Sequence, residues 1–386
     1  MEEVYILGGL RTPIGKTGGN LKELLPEKMA AFILNQALEK YNLEAEVIDE
    51  VILGNAVGLG GNIARLSLLE AGWPLEIPGT TIDFQCGSAL SAINLGANLI
   101  KAQQKDFVIV GGVESTSLEP KRQFHEADPR FRRADHFLER AIFSPPSLGD
   151  PDMGQGAENV AELKKISRRA MDRWALKSHQ RANSAQQQDI LKDIIAPLEV
   201  NGELIDSDES IRPQISSKLL SRMRPVFRED GKVTAGNSCL THDGAAVIIL
   251  ASQEAIESYN LSPQAKFITG VTVGVDPNLS PLGATAAIKK LLTKQDLTSN
   301  SIDAVEINEA FAVKILAALQ ELEINEEQIN ILGGALAYGH PYGASGAIIL
   351  LHLIQTLQKI DGKLGIAALG VAGGQGIASL IERCDQ

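Results

Sequence analysis

The chain has 386 residues and a formal net charge of −12 at pH 7, with 44% hydrophobic and 22% charged residues. Its length allows two domains or one large α/β assembly, and its composition is ordinary for a globular protein. The acidic balance disfavours nucleic acid or an anionic membrane as the main partner, and an anionic substrate would require a local basic patch.

Targeting and redox signals in the sequence favour a cytoplasmic protein. The start, Met1-Glu2-Glu3, is acidic and leads directly into a strand-like segment, which is unlike a signal peptide. No apolar stretch approaches the roughly 20 residues that span a bilayer. The three cysteines have neither disulfide-framework nor metal-ligand spacing, so we predict reduced thiols and no metal site.

Strands and helices alternate in the first part of the chain, and the last part repeats this layout. The predicted elements of the first part are strand 4–10, helix 26–41, strand 47–54, strand 80–84, helix 88–100 and strand 107–112. The last part follows with strand 267–275, helix 285–292, strand 304–307, helix 344–357 and strand 364–369. Helices 88–100 and 344–357 begin with small residues and are largely apolar, which is typical of buried helices. The repeat predicts a duplicated α/β unit.

The segment between the two parts has a different composition. Residues 118–238 carry basic clusters, such as Arg130-Phe131-Arg132-Arg133 and Arg222-Met223-Arg224, and lack strong β periodicity. A long insertion on a rigid scaffold is usually functional. Its arginines suit phosphate groups, although such clusters are also common on solvated surfaces.

A cysteine and a histidine each precede one of the two small-residue helices. Cys86 lies in Phe84-Gln85-Cys86-Gly87-Ser88-Ala89, where the positive end of the helix dipole favours a thiolate. His340 lies in Gly339-His340-Pro341-Tyr342-Gly343, which indicates a tight turn and not a helix face. Together they predict a sulfur nucleophile activated by a general base.

A third motif narrows the class, because Asn308-Glu309-Ala310-Phe311-Ala312 follows the predicted strand 304–307. With the cysteine and histidine motifs, it resembles the thiolase family, whose members cleave or form 3-oxoacyl-coenzyme A. Other stretches in family order are Arg11-Thr12-Pro13-Ile14-Gly15, Gly54-Asn55, Gly111-Gly112-Val113-Glu114-Ser115, Met153-Gly154, Ala157-Glu158-Asn159, Ile166-Ser167-Arg168 and Thr234-Ala235-Gly236-Asn237. The resemblance therefore runs nearly end to end.

The resemblance implies the five-layer α/β/α/β/α thiolase fold, built from two duplicated halves. It divides the chain into a first half at 1–117, a loop domain covering coenzyme A at 118–248 and a second half at 249–386. It also implies site roles. Cys86 attacks an acyl thioester, His340 is its base, Asn308 holds an oxyanion-hole water and Glu309 orients neighbouring groups. The main-chain N–H groups of Cys86 and Ala372 form a second oxyanion hole in this reading.

One position departs from the family pattern. The closing Cys-x-Gly-Gly-Gly-x-Gly turn of thiolases reads Gly370-Val371-Ala372-Gly373-Gly374-Gln375-Gly376 here. Gly370 thus stands in place of the second catalytic cysteine. Because glycine carries no proton, we expect intact acylation and a missing acid/base for the carbon–carbon step.

Further departures lie on the coenzyme side. We expect Met153, Ala235 and Cys239 to contact coenzyme A. Cys239 and His242 replace a serine and an asparagine of the family. They are either neutral changes, which we favour, or a replacement proton carrier.

Three more positions bear on the shape of the pocket. Tyr338 and Tyr342 flank the histidine where the family has aliphatic residues, and we expect them to reshape the pocket. Ser280 replaces a methionine that narrows the acyl pocket in acetoacetyl-specific members. The acyl chain is therefore not expected to be limited to acetyl.

The sequence predicts a thiolase-like acyltransferase that forms a Cys86 acyl-enzyme from acyl-coenzyme A. The coenzyme A thioester is its substrate, no cofactor is expected, and the assembly is a homodimer or homotetramer. The class implied is acetyl-CoA C-acetyltransferase or a related acyltransferase of fatty acid metabolism, with thiolysis and condensation placed in doubt by Gly370. Two alternatives remain open. One is non-thiolytic acyl transfer, decarboxylative condensation or acyl-CoA hydrolysis, and the other is a non-catalytic acyl-CoA-binding or assembly subunit.

Overall fold

A computed structural model describes residues 2–385. Its strands are β1 Val4–Arg11, β2 Gly15–Lys16, β3 Glu50–Gly54, β4 Gly79–Ile82, β5 Phe107–Glu114, β6 Leu198–Val200, β7 Glu203–Ile205, β8 His242–Ser252, β9 Ala265–Gly274, β10 Ala304–Ile307, β11 Leu364–Val371 and β12 Gln375–Arg383. Its helices are α1 Pro26–Tyr41, α2 Ile63–Glu70, α3 Ser88–Lys101, α4 Met153–Leu163, α5 Arg168–Gln187, α6 Ser217–Ser221, α7 Gln253–Ser258, α8 Gly283–Lys294, α9 Ala312–Leu322, α10 Ala335–Tyr338 and α11 Ser345–Ile360. Short 3-10 helices lie at Ala45–Val47, Lys192–Ile194, Pro277–Leu282, Ser299–Ser301 and Glu326–Gln328.

The main sheet consists of two similar units joined at one point. Its strands follow the order β10-β11-β12-β9-β1-β8-β5-β3-β4, and β2 pairs with β8. The join between β1 and β9 comprises two register pairs, Tyr5 with Lys266 and Ile6 with Ala265. The sheet therefore divides naturally at this short contact.

Each unit repeats one strand order. Without β2, and with its strands numbered in chain order, the first unit has the sheet order third (β4), second (β3), fourth (β5), fifth (β8) and first (β1). The fifth strand is antiparallel to both of its neighbours. The second unit, β10-β11-β12-β9, has the same order and directions for its second, fourth, fifth and first strands. A parallel bridge between Val305 and Ile329 stands where its third strand would lie. The duplication expected from the sequence is confirmed.

Alternate residues of these strands face different cores, as the pleat requires. On β5, Val108 faces a central core and Ile109 an outer core shared with α1 and α2. On β11, Ala367 faces the same central core and Ile366 a second outer core shared with α8 and α9. Helices α3 and α11 lie in the central core and contact strands of both units. The five predicted layers are therefore α1/α2, sheet, α3/α11, sheet and α8/α9.

The chain between β5 and β8 carries α4, α5, α6 and the β6–β7 hairpin. Helix α4 packs on the 3-10 helix Pro277–Leu282, and α5 packs on α9 and α10. Strand β8 crosses the expected domain limit at 248/249 and pairs with β1 and β5. Residues 242–248 are thus part of the first unit's sheet, while the three-part domain division stays a prediction.

Gly346 sets the contact between the two central helices, since a Cβ there would lie 2.3 Å from the backbone nitrogen of Leu90 on α3. Gly346→Ala should force α3 and α11 apart and lower the free energy of unfolding by about 1–3 kcal/mol, the usual cost of overpacking. Urea unfolding at fixed protein concentration measures this loss. Gly274→Ala is the matched control, because a Cβ there meets nothing within 4 Å. Equal losses in both variants would contradict the helix-contact account.

Candidate active site

Cys86 occupies a tight turn between β4 and α3. Gln85 has a left-handed backbone with φ 48°, and the N–H of Gly87 donates to the Phe84 carbonyl at 3.0 Å. A Cβ at Gly87 would lie 2.8 Å from the Phe84 ring and from the Val371 side chain, so glycine is required there. A left-handed backbone at a non-glycine residue such as Gln85 costs about 1–3 kcal/mol, and such strain clusters at functional sites.

The resting state of Cys86 is a thiol. Burial raises its pKa to about 11, while the charge of Lys314 and the residue's own N–H act in the opposite direction. The sequence-based expectation that the helix terminus favours the thiolate is therefore outweighed by burial. The sulfur needs a base before it can act as a nucleophile.

The hydrogen bonds of His340 define its tautomer. Ser345 Oγ donates to the Pro341 carbonyl at 2.8 Å, so it accepts from His340 Nδ1 at 2.6 Å. Nε2 then carries the lone pair and accepts from Asn308 Nδ2 at 3.1 Å. Burial keeps the pKa of His340 well below 6.5, so the ring is neutral. The ring can therefore accept a proton at Nε2.

His242 positions His340 through the backbone, a role that sequence analysis did not predict. The N–H of His340 donates to His242 Nδ1 at 3.1 Å, and His242 Nε2 lies 2.8 Å from Ser210 Oγ. The Leu240 carbonyl lies 2.8 Å from the same Nδ1, but the N–H of His340 needs an acceptor and fixes Nδ1 in that role. A Cβ at Gly339, φ +118°, would lie 2.4 Å from the His242 ring. The ring of His242 therefore contacts the histidine turn, and the expectation that His242 is a neutral change stays a prediction.

Asn308 and Glu309 have different surroundings although they are adjacent. Asn308 bonds His340, and its buried Oδ1 has no hydrogen-bond partner within residues 2–385. Glu309 is fully buried and accepts from Trp174 Nε1 at 2.8 Å, Ser178 Oγ at 2.6 Å and Asn330 Nδ2 at 2.8 Å. Glu309 therefore braces the elements behind the site and does not line the cavity.

A cavity of about 410 Å³ brings most of the predicted residues together. Its wall includes Cys86, Met153, Cys239, His340, Gly370 and Ala372. Apolar parts of the wall come from Val57, Phe143, Phe227, Phe311 and Tyr342. Ala235, by contrast, lies in an exposed turn outside the lining, so the structure does not place it with the other expected coenzyme contacts.

The end of β11 carries Gly370, which departs from the family pattern, and forms part of the cavity wall. Ala372 lies outside the left-handed region, so alanine is unstrained at this position. A Cβ at Gly370 would lie 3.0 Å from the Ser280 carbonyl oxygen. Ser280 Oγ accepts from the N–H of Gly374 at 2.9 Å, so this side chain faces the turn and not the cavity.

The two tyrosines beside His340 differ in direction. Tyr342 lines the cavity, and its ring packs edge-on against His340 with centroids 5.0 Å apart. The Tyr338 hydroxyl donates to the Leu332 carbonyl at 2.6 Å, and its ring packs against His352. Of the two tyrosines expected to shape the pocket, Tyr342 lines this cavity and Tyr338 does not.

Cys239 lines the cavity without bonding Cys86. Its sulfur lies 3.2 Å from the Ala335 carbonyl and 3.0 Å from the Leu240 carbonyl. Burial raises the pKa of Cys239 well above its ordinary value. The sulfur therefore keeps its proton at neutral pH.

Two arginines that the sequence analysis did not single out line the cavity. Arg140 bonds Asp150 at 3.1 Å, and Arg122 pairs with Glu119. Of the predicted basic run, Arg130 pairs with Asp128 on the surface. No spacing signal distinguishes the lining arginines in the sequence, because the fold of the insertion selects them.

Fold and site define a duplicated α/β protein with a cysteine–histidine cavity, and comparison with known proteins gives the family. The family model "Thiolase, N-terminal domain" matches residues 4–254, and "Thiolase, C-terminal domain" matches residues 261–383. The chain belongs to the thiolase family.

Relatives cover the full length. A Staphylococcus aureus protein named "Putative acetyl-CoA C-acetyltransferase VraB" is 42% identical over 384 residues, 99% of this chain and 100% of the relative. The crystal structure of the Bacillus anthracis acetyl-CoA acetyltransferase covers 100% of this chain and 99% of its own, with TM-score 0.94 and 36% identity. That of human mitochondrial 3-ketoacyl-CoA thiolase in complex with CoA covers 100% and 98%, with TM-score 0.92 and 34% identity.

No helix within residues 2–385 has the length and apolarity to cross a membrane. In the same range, no three His, Cys, Asp or Glu side chains are grouped to hold a metal ion.

Glu309→Gln would place an amide NH2 among four donors, those of Trp174, Ser178, Asn330 and the Leu336 N–H, and leave a buried donor without an acceptor. We expect the free energy of unfolding to fall by about 1–3 kcal/mol. The fluorescence of Trp174 should also change, because its indole N–H is one of the donors. Glu70→Gln, at the exposed end of α2, is the control and should leave both unchanged. Wild-type stability and fluorescence in Glu309→Gln would show that the carboxylate does not brace the site.

Proposed function

We propose that this chain is a thiolase-like acyltransferase that transfers the acyl group of a coenzyme A thioester to Cys86. The observation that carries the proposal is the meeting of Cys86 and a neutral His340 in one cavity. The coenzyme A thioester is the substrate in this proposal, and no other cofactor is required. A homodimeric or homotetrameric assembly and a cytoplasmic location are part of the same proposal.

Acylation begins with proton transfer from Cys86 to His340 Nε2. The thiolate then attacks the thioester carbonyl carbon, and the N–H groups of Cys86 and Ala372 receive the developing oxyanion. When the intermediate collapses, the bond to the coenzyme A sulfur breaks and that sulfur takes the proton from Nε2. While Nε2 is protonated, it needs an acceptor in place of the Asn308 NH2. The unpartnered Oδ1 of Asn308 can serve after rotation of the amide.

Gly370 favours a second candidate for the step after acylation. In this proposal Gly370 occupies the place of the second catalytic cysteine, at the cavity wall. Decarboxylative condensation, hydrolysis and acyl transfer to oxygen or nitrogen do not require a thiol at that position. A non-catalytic binding subunit is less well supported, because binding alone needs neither Cys86 nor His340.

Incubation with acetyl-coenzyme A and longer acyl-coenzyme A thioesters should add an acyl mass to Cys86. Intact-protein mass spectrometry followed by peptide mapping detects the adduct. Cys86→Ala should abolish it, and His340→Ala should slow its formation by about 10²–10⁴-fold, the scale of a lost general base. Cys384→Ala, far from the cavity wall, should acylate normally. If no donor acylates Cys86, the enzyme proposal fails and the binding-subunit alternative gains support.

The wild-type chain should acylate readily and cleave acetoacetyl-coenzyme A weakly or not at all. Gly370→Cys should raise thiolysis at least about tenfold, a change of about 1.4 kcal/mol in the barrier. The new Cβ requires the Ser280 carbonyl, 3.0 Å away, to move slightly, and Gly370→Ala controls for that movement. Robust wild-type thiolysis would mean that another group already carries the proton. A Gly370→Cys protein that acylates but does not cleave would also contradict the prediction.

A further inference from the structure

The hydroxyl group of Tyr342 is a hydrogen-bond donor without an acceptor at the wall of the candidate active site. Tyr342 lines the cavity, and its ring packs edge-on against the His340 ring, with centroids 5.0 Å apart. No group within residues 2–385 forms a hydrogen bond with the Tyr342 hydroxyl, whereas the Tyr338 hydroxyl donates to the Leu332 carbonyl. The Tyr342 hydroxyl can therefore bind a group that enters the cavity.

The turn that carries Tyr342 is held on both sides of this residue. The N–H groups of Ala344 and Ser345 both donate to the Pro341 carbonyl, at 3.0 and 2.9 Å. The N–H of Gly343 donates to the buried Glu114 carboxylate at 2.9 Å. With the ring contact to His340, these bonds fix the phenol in advance, so little entropy is lost when a ligand binds to it.

The other donor side chains of the cavity wall, apart from Cys86, already form hydrogen bonds within the chain. They are Gln85, Arg122, Arg140, Cys239, Thr241 and His340. Much of the remaining wall is apolar, including Phe227 and Phe311. A ligand oxygen against such a wall needs a donor, because an unpaired buried polar group costs free energy. Besides the reacting thiol, Tyr342 is the side chain in this wall that offers one.

The Tyr342 hydroxyl keeps its proton at neutral pH. Burial raises the pKa of Tyr342 above its ordinary value, and the charges of Cys86 and Cys239 act in the same direction. The phenol is therefore a donor in this cavity, and it does not supply a base for the step that Gly370 leaves without a thiol.

We propose that Tyr342 is a specificity-determining residue, whose hydroxyl donates a hydrogen bond to an oxygen on the acyl chain beyond the thioester carbonyl. Its contact with His340 places it at the reacting end of the cavity, where the acyl chain lies in the proposed function. Thioesters with a 3-oxo or 3-hydroxy group carry such an oxygen, and plain acyl thioesters do not. The inference rests on the proposed substrate class, an acyl-coenzyme A thioester, and does not depend on the acyl-enzyme step.

Titration calorimetry on the Cys86→Ala protein, which cannot be acylated at this position, tests the inference with acetoacetyl-, 3-hydroxybutyryl- and butyryl-coenzyme A. Added Tyr342→Phe should weaken binding of the first two about three- to tenfold, the effect of one lost hydrogen bond, and leave butyryl-coenzyme A unchanged. Tyr342→Leu should show at least the same selective loss. Tyr338→Phe is the matched control, because it removes a hydroxyl that is bonded outside the cavity wall, and it should leave all three affinities unchanged.

Thermal unfolding of each variant identifies those that fold. Unchanged affinities in Tyr342→Phe would overturn the inference, whatever Tyr342→Leu shows, because the ring alone would then matter. Equal loss for all three thioesters would also overturn it, since the hydroxyl would then act on the thioester carbonyl or on the coenzyme. If none of the thioesters binds, the inference and the proposed function fail together. If the loss is selective while no donor acylates the intact Cys86, the inference stands and the proposed acyl transfer fails.

Discussion

One buried carboxylate, that of Glu114, holds the two halves of the site against each other. From the end of β5 it accepts from the backbone N–H groups of Ala56 at 2.9 Å and Gly343 at 2.9 Å, and from Asn55 Nδ2 at 2.8 Å. Gly343 follows the histidine turn of the second half, whereas Ala56 lines the cavity from the first. Burial raises the pKa of Glu114 to about 7, against the effect of these donors. A group outside the cavity lining therefore ties the Gly343 turn of the second half to the segment after β3 in the first half.

Close backbone contact supports the same junction. A Cβ at Gly112 would lie 2.0 Å from the Gly343 carbonyl oxygen, and one at Gly54 would lie 2.6 Å from the same atom. The strand ends of the first unit thus receive the histidine loop directly, without intervening side chains. This close backbone contact is the physical reason for glycine at Gly54 and Gly112, two positions in the motifs that support the family resemblance.

The sequence contained enough to predict the architecture and the meeting of Cys86 and His340 at one cavity, because both depend on local patterns. Alternation of strands with small-residue helices identified α3 and α11, and short motifs identified Cys86 and His340. The contact of His242 with the histidine turn and the burial of Lys314 were missed because both depend on neighbours distant in the chain. A lysine in an apolar helix carries no signal of whether its ammonium finds a partner. The predicted limit at 248/249 falls inside β8, because the sequence has no local marker where the insertion ends and this buried strand begins.

The arrangement of β1 has a consequence for how the chain reaches this structure. Val4 pairs with Ser252 and Arg11 with Ala246, and the other edge of β1 meets β9 at Ala265 and Lys266. Strand β1 therefore leaves the ribosome long before either of its neighbours and stays unpaired until β8 and β9 have been made. Pairings of such long sequence separation fold slowly and leave apolar strand edges exposed in the meantime. Nascent chains of this protein should accordingly depend on protection from aggregation until β8 and β9 emerge.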